Sequence, residues 1–398
     1  MLTRHHAEDR PTSSSHAESS VKHLLVISFS NLASDPRVNR QIRLLGQDFR
    51  VTAAGYADPG VPNVEFVEIR RRARSVTGKA FALAMLKTGQ FERFYWTSTA
   101  VVAARERLVG RDFDLILAND IETLPLALSL TSRCGVVLDA HEYAPRELED
   151  SWQWRFLFQS YVTYLCERYL PHVAGVATVC ESIAKEYERN FGVSPGVVYN
   201  APYRADLTPT LPVGEAVRLV HHGAASPSRR IETMMATVAK LDARFTLDLY
   251  LVPTDPAYLL RLERMAKADE RIRIRMPVPM TELPRVLNRY DIGVYILEPN
   301  SLNNRYSLPN KFFEFIQGRI AVAVGPSPEM ARLVRRYDLG VVADDFSSEA
   351  MTHALSRLTR EQVIHYKERA DAAANDLCYE RASAELLRIV KKAAGIEA

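Results

Sequence analysis

The chain has 398 residues, of which 47% are hydrophobic and 25% are charged, and its formal net charge is +3. This length exceeds what one ordinary core accommodates, so it predicts two α/β domains that share a cleft. The composition excludes a fibrous or wholly disordered chain, and the small net charge argues against a dedicated nucleic-acid-binding protein. No apolar stretch approaches the roughly 20 residues needed to cross a bilayer, so any membrane contact is expected to be peripheral.

The N-terminal residues 1–20 are polar, rich in Ser and His, and lack the apolar segment of a signal peptide. They predict a disordered extension. The four cysteines are scattered without a C-x-x-C pair, which predicts neither a zinc cage nor a disulfide framework. Together these features favour a reducing, cytoplasmic location.

Residues 21–200 alternate short apolar runs with helical patterns, which predicts a parallel sheet with crossover helices. The first run, HLLVISFS, is followed by a helical pattern from Pro36 to Leu45. Five further β-rich runs follow, namely RVTAAGY, NVEFVEI, FDLILAN, GVVLDAH and VAGVATV. The first domain is therefore expected to be doubly wound and Rossmann-like. Residues 201–214 contain several prolines without periodicity, and predict an interdomain linker.

A second alternation occupies residues 215–375 and predicts a second Rossmann-like domain. Its β-rich runs are VRLVHHG, FTLDLYLV, IRIRMPV, IGVYIL, IAVAVG and GVVAD. Residues 376–398 form an amphipathic helical pattern with a basic last turn, which suits a helix C-terminus.

Ligands of open parallel sheets bind beyond the carboxyl ends of the strands, so the residues that follow each strand are the candidates for a site. In the first domain these are Asp35 and Arg37, Asn119 and Asp120, and His141 and Glu142. Asp35 is also suited to cap the helix that Pro36 begins, which is an equally good explanation of its place. Asp139, His141 and Glu142 could hold hydroxyl groups and transfer protons near neutral pH, although His141 alone is as well explained by a structural role.

In the second domain, Gly223 ends a strand and leads to Arg229 and Arg230 at the next helix start. Backbone amides and guanidinium groups there would neutralise a diphosphate, and one of the two arginines could instead be solvated surface.

The segment SLNNRYSLPNKFFEFIQG, residues 301–318, predicts a loop and then a helix from Asn310 or Lys311. The loop includes Asn303, Asn304, Ser307 and Pro309. Lys311 at a helix N-terminus suits phosphates, and Glu314 could accept both hydroxyls of a ribose. A buried glutamate without such a ligand would be costly.

Two familiar functional motifs are not supported by this sequence. The D-x-D sequence Asp112 to Asp114 precedes its strand, so it is expected at the wrong end of the sheet for a metal-dependent site. No G-x-G-x-x-G follows the first strand, which argues against a dinucleotide-dependent oxidoreductase.

Five motifs in order resemble those of glycosyltransferase family 4, in the members with a PNKxxEY-type donor loop. They are SDPRVNRQ, NDIETLP, LDAHEYAP, HHG followed by Arg229, and SLPNKFFEFIQGRIAVAV. The resemblance runs from about Val21 to the C-terminal helices. It implies a GT-B fold whose C-terminal helix crosses back to the first domain, an acceptor on the first domain and a nucleotide sugar on the second.

The resemblance further implies retaining transfer from a UDP- or GDP-sugar to a glycan or lipid-linked acceptor in polysaccharide or glycolipid assembly, without a metal or other cofactor. By position, His141 matches the family's cleft histidine, Arg229 its phosphate-binding residue and Glu314 its ribose-binding glutamate. Asn310 and Lys311 match the diphosphate loop.

Two positions depart from the family pattern. Tyr306 stands where the first of two glutamates is expected, and Ala224 stands where an arginine is frequent. The candidate set is therefore His141, Glu142 and Asp120 for catalysis, Gly223, Arg229, Arg230, Tyr306, Ser307, Asn310, Lys311 and Glu314 for the donor, and Asp35, Arg37 and Asn119 for the acceptor.

Two rival functions stay open, a GT-B-shaped nucleotide-sugar epimerase and a catalytically silent nucleotide-sugar-binding homologue, the latter motivated by Tyr306 and Ala224. The basic cluster Arg70 to Arg74, followed by KAFALAMLKTGQFERFYW, could rest on an anionic membrane surface. The alternative is an ordinary core helix with a solvated basic end.

Overall fold

The computed structural model describes residues 21–70, 73–212 and 214–396. The predicted N-terminal extension, residues 1–20, lies outside the described residues, as do residues 71 and 72 of the basic cluster. The described chain folds into two lobes, each built on one parallel sheet.

The sheet of the first lobe has the strand order β3-β2-β1-β4-β5-β6-β7, and every pair in it is parallel. Its strands are β1 His23–Ile27, β2 Arg50–Gly55, β3 Glu65–Glu68, β4 Leu115–Asn119, β5 Val136–Ala140, β6 Gly175–Thr178 and β7 Gly196–Val197. Helices cover both faces, which explains why the central strands β4 and β5 read as unbroken apolar runs. The edge strand β7 was not predicted, because two residues leave no periodic pattern.

The helices of the first lobe are α1 Pro36–Leu45, α2 Val76–Lys87, α3 Phe91–Trp96, α4 Thr99–Leu108, α5 Leu124–Ser129, α6 Trp152–Leu157, α7 Gln159–Tyr169 and α8 Glu181–Phe191. The helix predicted from Pro36 to Leu45 is confirmed, and Asp35 caps it by accepting a hydrogen bond from the Val38 amide at 3.1 Å. The predicted apolar and aromatic helix is instead two helices, α2 and α3. They are separated near Gly89, whose φ of +69° suits glycine.

The sheet of the second lobe has the order β10-β9-β8-β11-β12-β13. Its strands are β8 Val217–Ala224, β9 Phe245–Val252, β10 Ile272–Arg275, β11 Ile292–Tyr295, β12 Ala321–Val324 and β13 Gly340–Val342. Its helices are α9 Ile231–Lys240, α10 Pro256–Ala266, α11 Leu283–Leu287, α12 Leu302–Arg305, α13 Asn310–Gln317, α14 Pro328–Tyr337, α15 Ser348–Ser356 and α16 Arg360–Ala373.

The segment that joins the lobes is bound along the second lobe. The Ala205 amide donates to the Gln317 side chain at 2.9 Å, and the Ala205 carbonyl accepts from Arg319 at 2.7 Å. Arg319 is fully buried and also pairs with Asp371 at 2.6 Å. The joining segment is thus attached to the end of α13 and to α16.

The last helix, α17 Tyr379–Ala393, returns to the first lobe and packs on β5, β6 and β7. Gly175 and Gly196 allow this close approach, because a Cβ at either glycine would lie within 3 Å of Ile389 carbons. Where the chain crosses back, the Tyr379 amide donates to the Pro202 carbonyl at 2.7 Å. The predicted fold, two Rossmann-like parallel-sheet domains facing a cleft with a C-terminal helix that crosses back, is confirmed.

Candidate functional site

A cleft of about 640 Å³ separates the carboxyl ends of the two sheets, within the usual range of small-molecule sites. Most of the predicted site residues line it: Asp35, Arg37, His141, Glu142, Gly223, Arg229, Tyr306, Ser307, Asn310, Lys311 and Glu314. Three predicted residues do not, and they are Asn119, Asp120 and Arg230.

The second-lobe side of the cleft carries two basic side chains, Lys311 and Arg229. Lys311 is the second residue of α13, and its Nζ lies 4.6 Å from the centre of the Tyr295 ring. Arg229 donates to the Tyr295 hydroxyl at 3.4 Å. Among the described residues, neither Lys311 nor Arg229 forms an ion pair with a carboxylate. Both side chains can therefore meet an anionic ligand in the cleft.

Gly223 allows the end of β8 to lie close to the Lys311 side chain. Its φ is +135°, and a Cβ added to it would lie 2.9 Å from Lys311 Nζ. Pro309 precedes α13 and gives it no side-chain cap, so the first amides of the helix remain available to a ligand. The glycine, the helix N-terminus and the two basic side chains together form an anion-binding arrangement.

Glu314 lies on α13 one turn beyond Lys311 and is 4% exposed. Burial raises the pKa of Glu314 to about 7, although Lys311 and Arg40 oppose the shift. Burial also lowers the pKa of Lys311 to about 7, with a further contribution from the charge of Arg229. His222, whose Nε2 is 3.3 Å from a Glu314 oxygen, has its pKa lowered to about 3 by burial and by Lys311. The Glu314 carboxyl therefore faces a neutral imidazole.

On the first-lobe side, the His141 ring is held between two carboxylates. Its Nδ1 is 3.2 Å from Asp120 Oδ2, and its Nε2 is 3.2 Å from Asp139 Oδ2. Burial alone would lower the pKa of His141, but Asp120 and Asp139 raise it to about 10. This pKa favours the charged imidazole at neutral pH, and the proton transfer predicted for His141 stays a prediction. Its assignment as a catalytic residue stays a prediction.

Arg37 supports this network from beneath. Its Nε and Nη2 donate to the two oxygens of Asp139 at 2.7 and 2.5 Å, and its Nη1 donates to the Val198 carbonyl at 3.0 Å. Asp139 is fully buried, and burial would raise its pKa, but Arg37 and His141 lower the pKa below its ordinary value. The structure gives Arg37 a positioning role, and the acceptor contact predicted for it stays a prediction.

Asn119 and Asp120 lie behind and beside His141. Asn119 is fully buried and its Oδ1 is 3.2 Å from His141 Nε2, so the expectation that it faces the acceptor is corrected. Asp120 has a left-handed backbone, with φ of +63°, and lines a smaller adjoining cavity of about 190 Å³. Both residues orient the imidazole of His141.

Arg230 lies apart from the other donor-site candidates. Its φ is +45°, and its guanidinium forms an ion pair with Glu298 in a separate depression beside Phe346. The backbone therefore turns between Arg229 and Arg230, and the prediction that both meet the donor is corrected. The alternative that one arginine is surface-exposed describes Arg230.

The smaller cavity beside His141 is lined by carboxyl groups that sequence reasoning did not select. Burial raises the pKa of Glu122 to about 7 and that of Glu147 to about 8, in each case with help from a neighbouring carboxylate. Glu142 lines both cavities, and burial together with Asp120 raises its pKa to about 6. Glu142 is thus, with Glu314 and Lys311, one of the predicted residues whose pKa lies near neutral pH. No sequence pattern indicated Glu147, whereas Glu122 lies inside the motif NDIETLP.

Several hydrogen bonds join the two lobes, including those of Glu149 with the Leu302 amide and of Ser182 with Glu329, and Asn303 contributes three more. Asn303 Oδ1 accepts from the Tyr143 amide at 2.8 Å, and its Nδ2 donates to the Tyr143 and Arg146 carbonyls at 3.2 Å each. We call these three hydrogen bonds the Asn303 clasp. Asn303 lies in the short helix α12, where a loop was predicted, because Ser301 caps that turn by accepting from the Asn304 amide.

The D-x-D sequence lies away from this site, at the amino end of β4. The Asp114 carboxylate accepts from the His23 amide at 2.8 Å, which fixes the start of β1. Its placement agrees with the expectation from sequence that it is not part of the cleft.

Comparison with solved structures identifies several that share this architecture. HepE of Anabaena, in a complex with UDP and glucose, is 14% identical with a TM-score of 0.65, covering 93% of this chain and 100% of its own. Sucrose-phosphate synthase of Thermosynechococcus elongatus is 13% identical with a TM-score of 0.68, covering 93% and 98%. A UDP-forming α,α-trehalose-phosphate synthase of Burkholderia vietnamiensis is 12% identical with a TM-score of 0.65, covering 93% and 100%.

No protein-family model and no curated protein matches the sequence. At these low identities the structural likeness shows the fold alone, and that fold is GT-B.

Proposed function

We propose that this chain is a glycosyltransferase that moves a sugar from a nucleoside diphosphate sugar to an acceptor hydroxyl on a glycan or lipid-linked molecule. The observation that carries the proposal is the pair of basic side chains, Lys311 and Arg229, placed beside Gly223 at the N-terminus of α13 without a carboxylate partner. Desolvation and the charge of Arg229 disfavour the charged form of Lys311 while no counter-ion is present. A diphosphate supplies the missing negative charge.

The position of Glu314 supports a nucleotide rather than a simple phosphate. Its carboxyl is buried one turn along α13 from Lys311, where it can accept hydrogen bonds from both hydroxyls of a ribose. We propose uracil as the base, because solved structures with this fold are described as complexes with UDP or UDP-glucose. Membership of glycosyltransferase family 4 is part of this proposal and rests on the five sequence motifs.

The reaction we propose proceeds with retention and without a metal ion. The bond between the anomeric carbon and the diphosphate oxygen breaks, its electron pair goes to that oxygen, and Lys311, Arg229 and the α13 amides stabilise the charge. The acceptor oxygen then bonds to the anomeric carbon on the same face. Its proton passes to the departing phosphate oxygen, so no protein nucleophile is required.

On the first lobe, the charged His141 imidazole lines the cleft opposite the donor site, held by Asp120 and Asp139. We propose that His141 and Glu142 hold the transferred sugar and the acceptor hydroxyl. Closure of the lobes would exclude water from the reacting atoms.

Calorimetric titration of the full chain with UDP, GDP, ADP and their common sugar conjugates tests the donor site. We expect UDP or a UDP-sugar to bind and Lys311→Met to weaken that binding by about 30-fold, the usual loss for a charge-assisted contact. Lys240→Met is the matched control, because Lys240 pairs with Glu349 on the lobe surface. The donor site is excluded if the wild-type chain binds no nucleotide.

Product analysis tests the transfer itself. A nucleotide sugar incubated with and without candidate acceptors should yield a glycosylated acceptor whose anomeric configuration matches the donor. Release of an altered free sugar in the absence of acceptor would identify an epimerase instead. Tight donor binding without turnover on any acceptor would identify a silent homologue.

A further inference from the structure

Helix α2 carries apolar side chains on both its inner and its outer face, although it lies on the protein surface. Ala82, Met85 and Leu86 are buried against the lobe, while Val76 is 84% exposed and Phe81 is 49% exposed. Leu83 is exposed on the outer side as well. Large apolar side chains grouped on an exposed face mark a contact surface, and the outer face of α2 has no partner in the described part of the chain.

Helix α6 continues this apolar surface. Trp152 is 66% exposed and Phe156 is 72% exposed. Lys87 at the end of α2 lies 5.9 Å from the centre of the Phe156 ring, which joins the two helices. We define the α2–α6 surface by the outward residues of both helices, Val76, Lys79, Phe81, Leu83, Lys87, Trp152, Arg155 and Phe156.

The charges on the α2–α6 surface are all positive. Neither α2 nor α6 contains an acidic residue, whereas Lys79, Lys87 and Arg155 are exposed on them. Arg93 of α3 lies 5.1 Å from the centre of the Phe81 ring. The neighbouring acidic residue, Glu92, accepts hydrogen bonds from Trp96 and Tyr164 at 2.9 and 3.0 Å.

We propose that the α2–α6 surface docks on an anionic lipid bilayer. Exposed aromatic and aliphatic side chains enter the interface between headgroups and acyl chains, and the lysine and arginine heads remain at the level of the anionic headgroups. A second copy of this chain is a poorer occupant. A two-fold contact through the same surface would bring its basic residues together without any acid to pair them.

Attachment of this kind does not require a transmembrane segment. Of the helices in the part of the chain that the structure describes, none has the length and apolar character to cross a bilayer. The surface would therefore hold the protein by insertion of side chains to interfacial depth.

The location of the α2–α6 surface connects it to the cleft. Leu148 and Asp150 line the cleft, and α6 follows directly at Trp152. A bilayer on α6 would lie beside the cleft mouth, so the acceptor is expected to be lipid-linked. This last step rests on the proposed glycosyl transfer, whereas the docking itself does not.

Co-sedimentation of the full chain with vesicles tests the docking without any substrate. We expect binding to phosphatidylglycerol-containing vesicles at low salt, weaker binding at high salt and little binding to pure phosphatidylcholine vesicles. The double substitution Phe81→Ser and Phe156→Ser should reduce the partition coefficient about tenfold or more, because two large apolar groups leave the interface. Leu260→Ser is the control, since Leu260 is similarly exposed on α10 of the second lobe.

A double charge-reversal variant and a control variant test how charge contributes to vesicle binding. Lys79→Glu with Lys87→Glu should abolish the preference for anionic vesicles, while Lys267→Glu on the second lobe should not. Equal vesicle binding by wild type and by the Phe81 and Phe156 double variant would overturn the proposal. So would wild-type self-association, measured by sedimentation velocity, that the same double variant abolishes.

UDP binding by calorimetry on each variant keeps the two proposals distinguishable. A variant that loses vesicle binding but still binds UDP is impaired at the α2–α6 surface alone. Vesicle binding by a chain that takes up no nucleotide would leave the docking standing and remove the proposed transferase.

Discussion

At the scale of single residues, the site depends on side chains whose charge is set by their neighbours. The pKa of His141 is raised because two carboxylates face its ring nitrogens, and the pKa of Lys311 is lowered to about 7 by burial and by the charge of Arg229. The two residues therefore predict different effects of pH on the protein.

His141 should stabilise the fold below its ordinary pKa and lose that contribution in alkali. Its pKa is raised from 6.5 to about 10, so the stabilisation is complete below pH 6.5 and disappears as the pH rises through 10. The free energy of unfolding of wild type should exceed that of His141→Gln by on the order of 3 kcal/mol at pH 6, and by much less at pH 10. Denaturant titrations at both pH values measure the difference.

His353→Gln is the control for this prediction, because His353 is exposed on α15. Its effect on stability should be small at both pH values. A His141→Gln deficit that is unchanged between pH 6 and pH 10 would contradict the assigned charge.

Nucleotide binding should weaken above neutral pH because of Lys311. The pKa of Lys311 is lowered from 10.5 to about 7 in the free protein, and a diphosphate favours the charged form, so binding above pH 7 takes up a proton. UDP affinity should fall by up to about tenfold per pH unit between pH 7 and 9. Lys311→Arg should bind with a flatter profile, since arginine stays charged, while Lys240→Arg should keep the wild-type slope.

Calorimetry in buffers of different ionisation enthalpy counts the protons directly. An uptake approaching one proton at pH 8 that Lys311→Arg removes is the expected result. An identical slope in wild type and Lys311→Arg would assign the pH dependence to another group.

At the scale of elements, the segment from α12 to α13 serves both lobes. α13 presents Lys311 and Glu314 to the cleft, while α12 presents Asn303 to the loop that carries His141 and Glu142. Donor binding and the arrangement of the opposite lobe are thus connected through a few residues of chain.

Removal of the Asn303 clasp should impair turnover more than donor binding. Asn303→Ala deletes all three hydrogen bonds to Tyr143 and Arg146 but leaves Lys311 in place. We expect UDP affinity within about threefold of wild type and a turnover number about tenfold lower, because closure is less populated. Small-angle scattering should show a larger radius of gyration.

The adjacent Asn304→Ala is the matched control, because the Asn304 side chain bonds to Asn300 within its own lobe. Equal turnover by the two variants would show that the clasp does not govern closure.

The elements and much of the cleft could be predicted from sequence, because both follow from local patterns. Strands buried on both faces read as apolar runs, and their polar ends meet at one edge of the sheet by the rules of parallel sheets. This reasoning placed Gly223, Lys311 and Glu314 together. It could not distinguish Arg229 from Arg230.

The site residues whose positions were predicted wrongly depend on backbone angles that no sequence pattern indicates. Asp120 and Arg230 both have positive φ without being glycine, and each redirects the side chains around it. The burial of Asn119 and the carboxyl cavity at Glu147 likewise arise from packing between distant segments. Only the folded chain shows such contacts.

At the scale of the whole molecule, the two lobes are joined by two crossings that are bonded to each other. Pro202 of the first crossing accepts from Tyr379 of the second, and Gln317 of α13 donates to Ala374 and Leu377 carbonyls at 2.9 and 3.1 Å. The C-terminal end of α13 is therefore hydrogen-bonded directly to the region about which the lobes would turn.

Helix α17 should stabilise the first lobe selectively. Leu386 is fully buried in the core that contains Val137 and Ala177, so Leu386→Ala should cost about 3 kcal/mol of stability. Hydrogen exchange should show the loss of protection in β5 and β6 and not in the second sheet.

Leu355→Ala, in the second-lobe core, should give the reverse pattern. Loss of protection spread evenly over both sheets in either variant would mean that the lobes unfold as one unit.

The return of α17 also affects how the protein is made. The first lobe is discontinuous in sequence, because its sheet is covered by residues that the ribosome adds after the entire second lobe. While the second lobe is being synthesised, β5, β6 and β7 lack their helix and expose the apolar groove that Ile389 and Leu386 later fill. The nascent first lobe is thus an incomplete body that must be kept from aggregating, and its folding is completed only when the chain has passed Ala394.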